Sequence, residues 1–206
     1  MKRACTEEQI NERKKEIISI VNTMFDTVDY QDISMKTISE KISIARSSLY
    51  CYYNSKEEIM LDIIRDDYIH FLNQIISSFN KENSIEELSK DLANCYLGHM
   101  RLLKIISIYL VDIEIHSSLE KVIVFKSNFV KIFKDFDDAI NSRFQTASSQ
   151  DKLNLSHSLV MLTHSLYPAI NPLEKQVEAM KAVGMNTVND KYAYIYNYLM
   201  FILKQL

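Results

Sequence analysis

The chain has 206 residues, 47% of them hydrophobic and 25% charged, with a formal net charge of −3, a globular composition that excludes a disordered or fibrous chain. Only two glycines (Gly98, Gly184) and two prolines (Pro168, Pro172) occur, too few for the tight turns of a sheet protein, so an all-α fold is expected. No apolar run approaches the ~20 residues needed to span a bilayer. The start, Met1-Lys2-Arg3-Ala4-Cys5-Thr6-Glu7-Glu8, turns acidic where a signal peptide would turn apolar, so a cytoplasmic location without a membrane partner is expected.

The three cysteines Cys5, Cys51 and Cys95 lack any CxxC spacing and are read as free thiols rather than a disulfide framework or zinc knuckle. Charge is unevenly spread. Residues 1–57 hold nine Lys/Arg against nine Asp/Glu, but between Ser34 and Lys56 four cations (Lys36, Lys41, Arg46, Lys56) face only Glu40, a local +3. A net negative chain therefore still presents a basic stretch to a polyanion.

Along the chain, Ile10, Ile17, Ile18, Val21, Met24, Phe25 and Val28 fall at helical spacing and predict a first helix from Glu7 to Val28. Thr6 and Gln9 form its capping box, and it is expected to end near Asp29 in a left-handed turn. Ser34 caps a short helix, Met35 to Ile42, whose Met35, Ile38 and Ile42 share one face. Ser43-Ile44-Ala45 leaves room only for a tight turn, and a second short helix is predicted from Arg46 to Tyr53 with Leu49 facing inward. Ser55 and Glu58 read as a capping box opening a long helix to Phe79.

Asn80-Lys81-Glu82-Asn83-Ser84 is the first polar break long enough to act as a linker, and composition alone sets a domain boundary near it. Helices are predicted beyond it at 85–103, 104–115, 118–145, 150–167, 173–183 and 189–205. The clearest stripe is Leu119, Val122, Phe125, Phe129, Phe133, Phe136, Ile140 and Phe144. The segment from Pro168 to Pro172 is predicted as a loop, because proline does not continue a helix interior.

Helix, short helix, tight turn, short helix and long helix is the arrangement of a helix-turn-helix DNA reader, whose second short helix enters the major groove. The residues sharpen the geometry. The stretch Met35-Lys36-Thr37-Ile38-Ser39-Glu40-Lys41-Ile42-Ser43-Ile44-Ala45-Arg46-Ser47-Ser48-Leu49-Tyr50-Cys51-Tyr52-Tyr53-Asn54-Ser55-Lys56-Glu57 resembles, without a gap, the N-terminal domain of the TetR/AcrR family of transcriptional regulators. Ile17-Ile18, Met24-Phe25 and Tyr30 extend the likeness back to about residue 10, and Leu49-Tyr50-x-Tyr52-Tyr53-x-Ser55-Lys56-Glu57 is its most specific part.

That resemblance implies a three-helix DNA-binding head, residues 1–56, joined by a long helix to a helical effector-binding and dimerisation body, residues 57–206. It places Tyr50 and Lys56 on DNA phosphates and turns Arg46, Ser47, Ser48 and Tyr52 toward the groove, with Lys36 beside them. Arg46 is the foremost candidate for base reading, since an arginine bonds guanine bidentately. The sequence departs from the family pattern at four places. Ser43 and Asp29 stand for turn glycines, Ala45 for the Ser/Thr cap of the recognition helix, and Ser47 for an early glycine in that helix. Loss of the cap hydroxyl weakens the helix start by ~0.5–2 kcal/mol.

The resemblance further implies double-stranded DNA, a second copy of the chain and an unidentified small-molecule effector as partners. By analogy, the helices at 150–167 and 189–205 would pair across the dimer through Leu159, Val160, Leu166, Ile195, Leu199 and Ile202, although these residues suit an intramolecular core nearly as well. Effector-lining candidates are Tyr96, His99, Met100, Tyr109, Phe125, Phe129, Met161 and Tyr167, which mix aromatic and thioether bulk with polar tips. His157 and His164 lie seven apart, but no Cys or carboxylate completes a ligand set, so no metal and no cofactor are expected. No Gly-rich phosphate loop, GxSxG elbow or HExxH motif is present, and no catalytic residue is assigned. The expected function is a ligand-responsive homodimeric repressor of a palindromic operator. The alternative is a helical interaction protein that has lost specific DNA binding.

Overall fold

A computed structural model describes residues 6–206, so the free-thiol reading of Cys5 lies outside the described residues. Every regular element among them is helical. In chain order the α-helices are α1 (Glu7–Phe25), α2 (Met35–Ile42), α3 (Arg46–Leu49), α4 (Lys56–Phe79), α5 (Ile85–Gly98), α6 (Met100–Lys104), α7 (Leu110–Ile115), α8 (Leu119–Ser127), α9 (Phe129–Arg143), α10 (Ser149–Ile170), α11 (Glu174–Ala182) and α12 (Lys191–Leu203). A 3-10 turn, Tyr30–Asp32, precedes α2, and a π-turn, Ile105–Tyr109, joins α6 to α7. No described helix is long and apolar enough to cross a membrane.

The chain divides into two compact units. The first comprises the described residues up to Asp66 together with Val111–Ser127; the second comprises Asp67–Leu110 and Asn128–Leu206. In the first unit α1 buries Ile17, Val21, Met24 and Phe25 against a core shared with Ile33, Met35, Ile38, Ile42, Leu49 and Tyr53. The predicted capping box of α1 forms, with the Gln9 amide donating to Thr6 Oγ1 at 3.3 Å and the Thr6 amide donating to Gln9 Oε1 at 3.1 Å. In the second unit Tyr96 is fully buried. Its hydroxyl donates to the Leu159 carbonyl at 2.9 Å, and its ring meets Phe71 edge-on at 5.2 Å.

Several boundaries differ from the sequence expectation for local reasons. Helix α1 stops at Phe25, and Asp29 is extended (φ −63°, ψ 144°) rather than left-handed, because it precedes the 3-10 turn that buries Tyr30. Ser55 and Glu58 do not form a reciprocal box. The Glu58 amide donates to Ser55 Oγ at 3.3 Å, but the Glu58 carboxylate accepts from the Asn54 amide at 3.0 Å instead. The expected helix 85–103 breaks at Gly98 and His99 (φ −116°, ψ 28°), where glycine offers little helix preference. The expected helix 118–145 breaks at Asn128, where the Ser127 hydroxyl donates to the Val124 carbonyl at 2.8 Å and competes for the acceptor of the next helical bond.

The loop expected at Pro168 is also corrected, for α10 runs through it to Ile170. Lacking an amide, Pro168 forfeits a single backbone bond so close to the helix end. The freed end is secured by Asn171, whose amide donates to the Tyr167 carbonyl at 2.9 Å and whose side chain donates to the same atom at 3.2 Å.

Candidate nucleic-acid interface

The first unit builds its surface around the turn between α2 and α3. Ser34 caps α2 reciprocally with Thr37, the Thr37 amide donating to Ser34 Oγ at 3.2 Å and the Ser34 amide to Thr37 Oγ1 at 2.9 Å. The turn closes with Ser43 in the left-handed region (φ 59°, ψ 41°), the one non-glycine residue with positive φ among the described residues. Ala45 then starts α3 without any side-chain cap. The sequence departures at Ser43 and Ala45 are therefore real local weaknesses: a β-carbon where glycine is strain-free, and an uncapped helix start.

Regular helix ends at Leu49, earlier than the expected Tyr53. The backbone continues in tight turns, with the Tyr52 and Tyr53 amides both donating to the Leu49 carbonyl at 3.0 and 3.2 Å. Leu49 is fully buried, and it holds α3 down while Arg46, Ser47, Ser48 and Tyr50 all face solvent. Arg46 and Tyr50 are brought together, the guanidinium donating to the Tyr50 hydroxyl at 3.0 Å and lying 5.6 Å from its ring centre. Lys36 is exposed on α2, 3.9 Å from Glu40. Tyr52 is half-buried at the edge of this surface.

Lys56 stands differently. Its ammonium donates to the Tyr30 carbonyl at 2.9 Å and sits 4.1 Å over the Tyr30 ring, while the Tyr30 hydroxyl donates to Glu57 at 3.2 Å. The ammonium thus anchors α4 to the 3-10 turn through a hydrogen bond and a cation–π contact. Cys51, noted in the sequence only as a thiol, is exposed between Tyr50 and Tyr52 on the same surface.

Sequence reasoning missed what fixes this surface from behind. Tyr53 is buried and donates to Asp62 at 2.8 Å; Asp62 also meets Lys121 at 2.7 Å and Arg65 at 3.0 Å. Glu58 accepts from the Ser118 hydroxyl at 2.8 Å. Burial pushes the Glu58 carboxyl up, yet the hydrogen bonds from Asn54 and Ser118 together outweigh it and hold the group below the usual carboxylate value. Ser118 is 60 residues along the chain from Glu58 and Lys121 is 59 from Asp62, and no local pattern marks them.

The eight effector-lining candidates are scattered. Phe125 belongs to the first unit and the other seven to the second. Met161 is 68% exposed on α10, whereas Tyr96 and Phe129 are buried among aromatic neighbours, Phe129 lying 5.3 Å from Tyr68. His99 packs on Phe71 at 5.2 Å, and Met100, Tyr109 and Tyr167 are half-buried. A groove of about 480 Å³ between α4 and α5 has a different, polar lining that includes His70, Gln74, Asn94 and Cys95. Leu159, Leu166, Ile195 and Leu199, suggested as dimer contacts, are buried within the chain and form its core. His157 and His164 are exposed on α10, and no group of three or more metal-ligating side chains occurs among the described residues.

Comparison with known proteins gives the family and the fold. A family model described as "Tetracyclin repressor-like, C-terminal domain" matches residues 65–201. The biofilm operon icaADBC HTH-type negative transcriptional regulator IcaR of Staphylococcus epidermidis is 28% identical over 75 residues, which is 36% of this chain and 40% of that relative's length. Among solved structures, a TetR/AcrR-family transcriptional regulator from Thermobifida fusca superposes with a TM-score of 0.59 at 15% identity, covering 92% of this chain and 97% of its own. The fatty acid degradation regulator FadR from Bacillus halodurans superposes with a TM-score of 0.57 at 14% identity, covering 93% and 94%. These structural likenesses concern the fold, while the family match spans most of the chain: it belongs to the TetR family of transcriptional regulators.

Proposed function

We propose that the protein is a repressor that binds a palindromic operator as a homodimer and is released by a small-molecule effector, with residues 1–56 as the reading head and 57–206 as the effector-binding and dimerisation body. The observation that carries the reading is the exposure of Arg46, Ser47, Ser48 and Tyr50 on a helix pinned by the fully buried Leu49. A short helix offered in this way has its polar side chains free for base edges and phosphates. Arg46 reads a base, Tyr50 both aligns Arg46 and touches phosphate, and Lys36 and Lys56 supply charge. The similarity to a negative regulator favours repression.

Dimerisation uses the outer faces of α10 and α12. Leu153 and Met161 on α10, with Tyr194, Tyr198 and Phe201 on α12, leave large apolar surface exposed at helical spacing. Two heads then read half-sites about one turn of DNA apart, ~34–36 Å.

The effector enters the second unit beside the π-turn Ile105–Tyr109, which packs against α6 and α10. The buried Ser107 hydroxyl there has no hydrogen-bond partner among the described residues, a cost that a ligand's polar group would offset. Half-buried Met100, Tyr109 and Tyr167 supply the apolar lining. The response passes along α4 and through Val111–Ser127, whose Ser118 and Lys121 grip Glu58 and Asp62. Release needs the effector to favour the non-DNA-binding conformation by ~1–3 kcal/mol.

The test is binding to the DNA upstream of its own gene at two salt concentrations, wild type beside Arg46→Ala and Tyr50→Ala, with circular dichroism as the folding control. The wild type binds with an affinity that falls steeply with salt, and the folded double variant loses specific binding. Equal behaviour of the two proteins would instead favour a helical interaction protein that has lost its operator.

A further inference from the structure

Along the C-terminal half of α4, Phe71, Ile75 and Phe79 are buried while His70, Asn73, Gln74 and Ser77 are exposed. Each set recurs at three- and four-residue steps, so the helix packs with one face and leaves a polar face outside. That outer face is one wall of the groove of about 480 Å³, and Asp91, Asn94 and Cys95 of α5 supply the other. The groove lies wholly within the second unit, and its volume falls in the ~300–1,000 Å³ range of small-molecule sites.

Its side chains are of three kinds. Gln74 is held at both ends: its amide nitrogen lies 2.9 Å from His70 Nε2, and its Oε1 accepts from the Cys95 thiol at 3.6 Å. The Lys81 ammonium donates to Asp91 Oδ2 at 2.7 Å, so their charges cancel and Asp91 Oδ1 is left facing outward bonds. Asn73, Ser77 and Asn94 make no side-chain hydrogen bond among the described residues. Each of these three both donates and accepts, as a ligand hydroxyl does. An apolar ligand would strip water from them without replacing its bonds. A phosphate or carboxylate would find the Lys81 ammonium already paired.

We infer that the groove between α4 and α5 binds a neutral polyhydroxylated ligand of monosaccharide size, its hydroxyls bonding Asn73, Ser77, Asn94 and Asp91 Oδ1 while the braced Gln74 and His70 hold the α4 wall. The site is separate from the effector position proposed beside Ser107, which packs against α6 and α10, and it does not depend on DNA binding or on pairing of the chain. A site built to bond hydroxyls rejects an analogue that lacks them, because its amides are then left unpaired.

The experiment follows the side-chain amide resonances of Asn73 and Asn94 by nitrogen-15 NMR of the full chain. The probes are D-glucose, D-galactose and myo-inositol, with sodium phosphate, glycine and cyclohexanol as controls. At least one polyol is expected to shift both amides saturably, with a dissociation constant on the order of 1 mM. Asn73→Ala combined with Asn94→Ala, whose changed side chains are exposed, is expected to keep its circular dichroism and to bind that polyol at least tenfold more weakly, read on the backbone amides of α4. Ser77→Ala, expected to weaken binding severalfold, gives the same reading should the double variant misfold. No saturable shift from any of the three polyols up to about 50 mM, or saturation that leaves both amides unmoved, would overturn the site. Saturation by phosphate, glycine or cyclohexanol instead would overturn the ligand class.

Discussion

The phenol of Tyr53, in the tight turns that follow α3, donates a 2.8 Å hydrogen bond to Asp62 two turns into α4. Burial, with the Asp62 charge beside it, pushes the phenol well up from its ordinary value, so it stays a proton donor. Lys121 from α8 reaches the same carboxylate oxygen at 2.7 Å and passes 5.4 Å from the Tyr53 ring. The end of the segment after α3, α4 and the distant α8 are tied at one carboxylate, directly behind the surface proposed to face DNA.

Replacing Tyr53 with Phe removes a hydrogen bond to a charged group and is expected to cost ~1.5–3 kcal/mol. Asp62→Ala is expected to cost more, ~3–5 kcal/mol, because it strands the largely buried Lys121 ammonium as well as the phenol. Urea denaturation followed by circular dichroism checks both. An Asp62→Ala protein as stable as wild type would show that the knot contributes nothing to stability.

The turn at Ser43 and the bare start of α3 are two places where the head is weaker than it need be. Ser43→Gly relieves a left-handed serine that costs ~1–2 kcal/mol, partly offset by greater chain freedom in the unfolded state, for a net gain of up to about 1 kcal/mol. Ala45→Ser adds a cap worth ~0.5–2 kcal/mol. The double variant is expected to melt several degrees higher and, if the serine hydroxyl also meets a phosphate, to bind DNA more tightly. A lower melting temperature for Ser43→Gly would contradict the strain argument.

Acid stability depends on Glu58. Its folded-state carboxyl sits below the ordinary value of 4.5, so its contribution is complete above that value, where both folded and unfolded chains are ionised. As pH falls below 4.5 the unfolded chain takes up the proton first, and the contribution is lost down through the folded value. Stability measured by denaturant titration from pH 6 to pH 3 is expected to fall less steeply in Glu58→Gln than in the wild type. Parallel curves would assign the acid loss to other groups.

Cys51 and Cys95 are expected to differ sharply toward an alkylating reagent. Burial pushes the Cys95 thiol up to about 12, leaving almost no thiolate at neutral pH, whereas Cys51 is exposed on the surface proposed to face DNA. Peptide mapping by mass spectrometry should find iodoacetamide on Cys51 and none on Cys95 in the folded protein. Operator DNA should slow the Cys51 reaction at least severalfold, since Cys51 lies between Tyr50 and Tyr52. Labelling of Cys51 at the same rate with and without bound operator would mean that this surface faces away from the DNA.

What the sequence determined by itself was local. Scarcity of Gly and Pro, three- and four-residue apolar spacing, and the Thr6 and Ser34 caps specified α1, α2 and the long α4, because helix formation is governed by neighbours within four positions. The order Leu49-Tyr50-x-Tyr52-Tyr53 singled out this segment through the family resemblance, and the structure adds that Leu49 and Tyr53 are buried while Arg46, Ser47, Ser48 and Tyr50 are exposed. The tertiary structure decided what depends on distant partners: Lys56 anchored to Tyr30, Tyr53 to Asp62 and Lys121, and Leu159, Leu166, Ile195 and Leu199 turned into core rather than interface. Apolar spacing shows that a helix has an inner face but not whether its own chain or another covers it, since both present the same hydrocarbon to water. That choice belongs to packing.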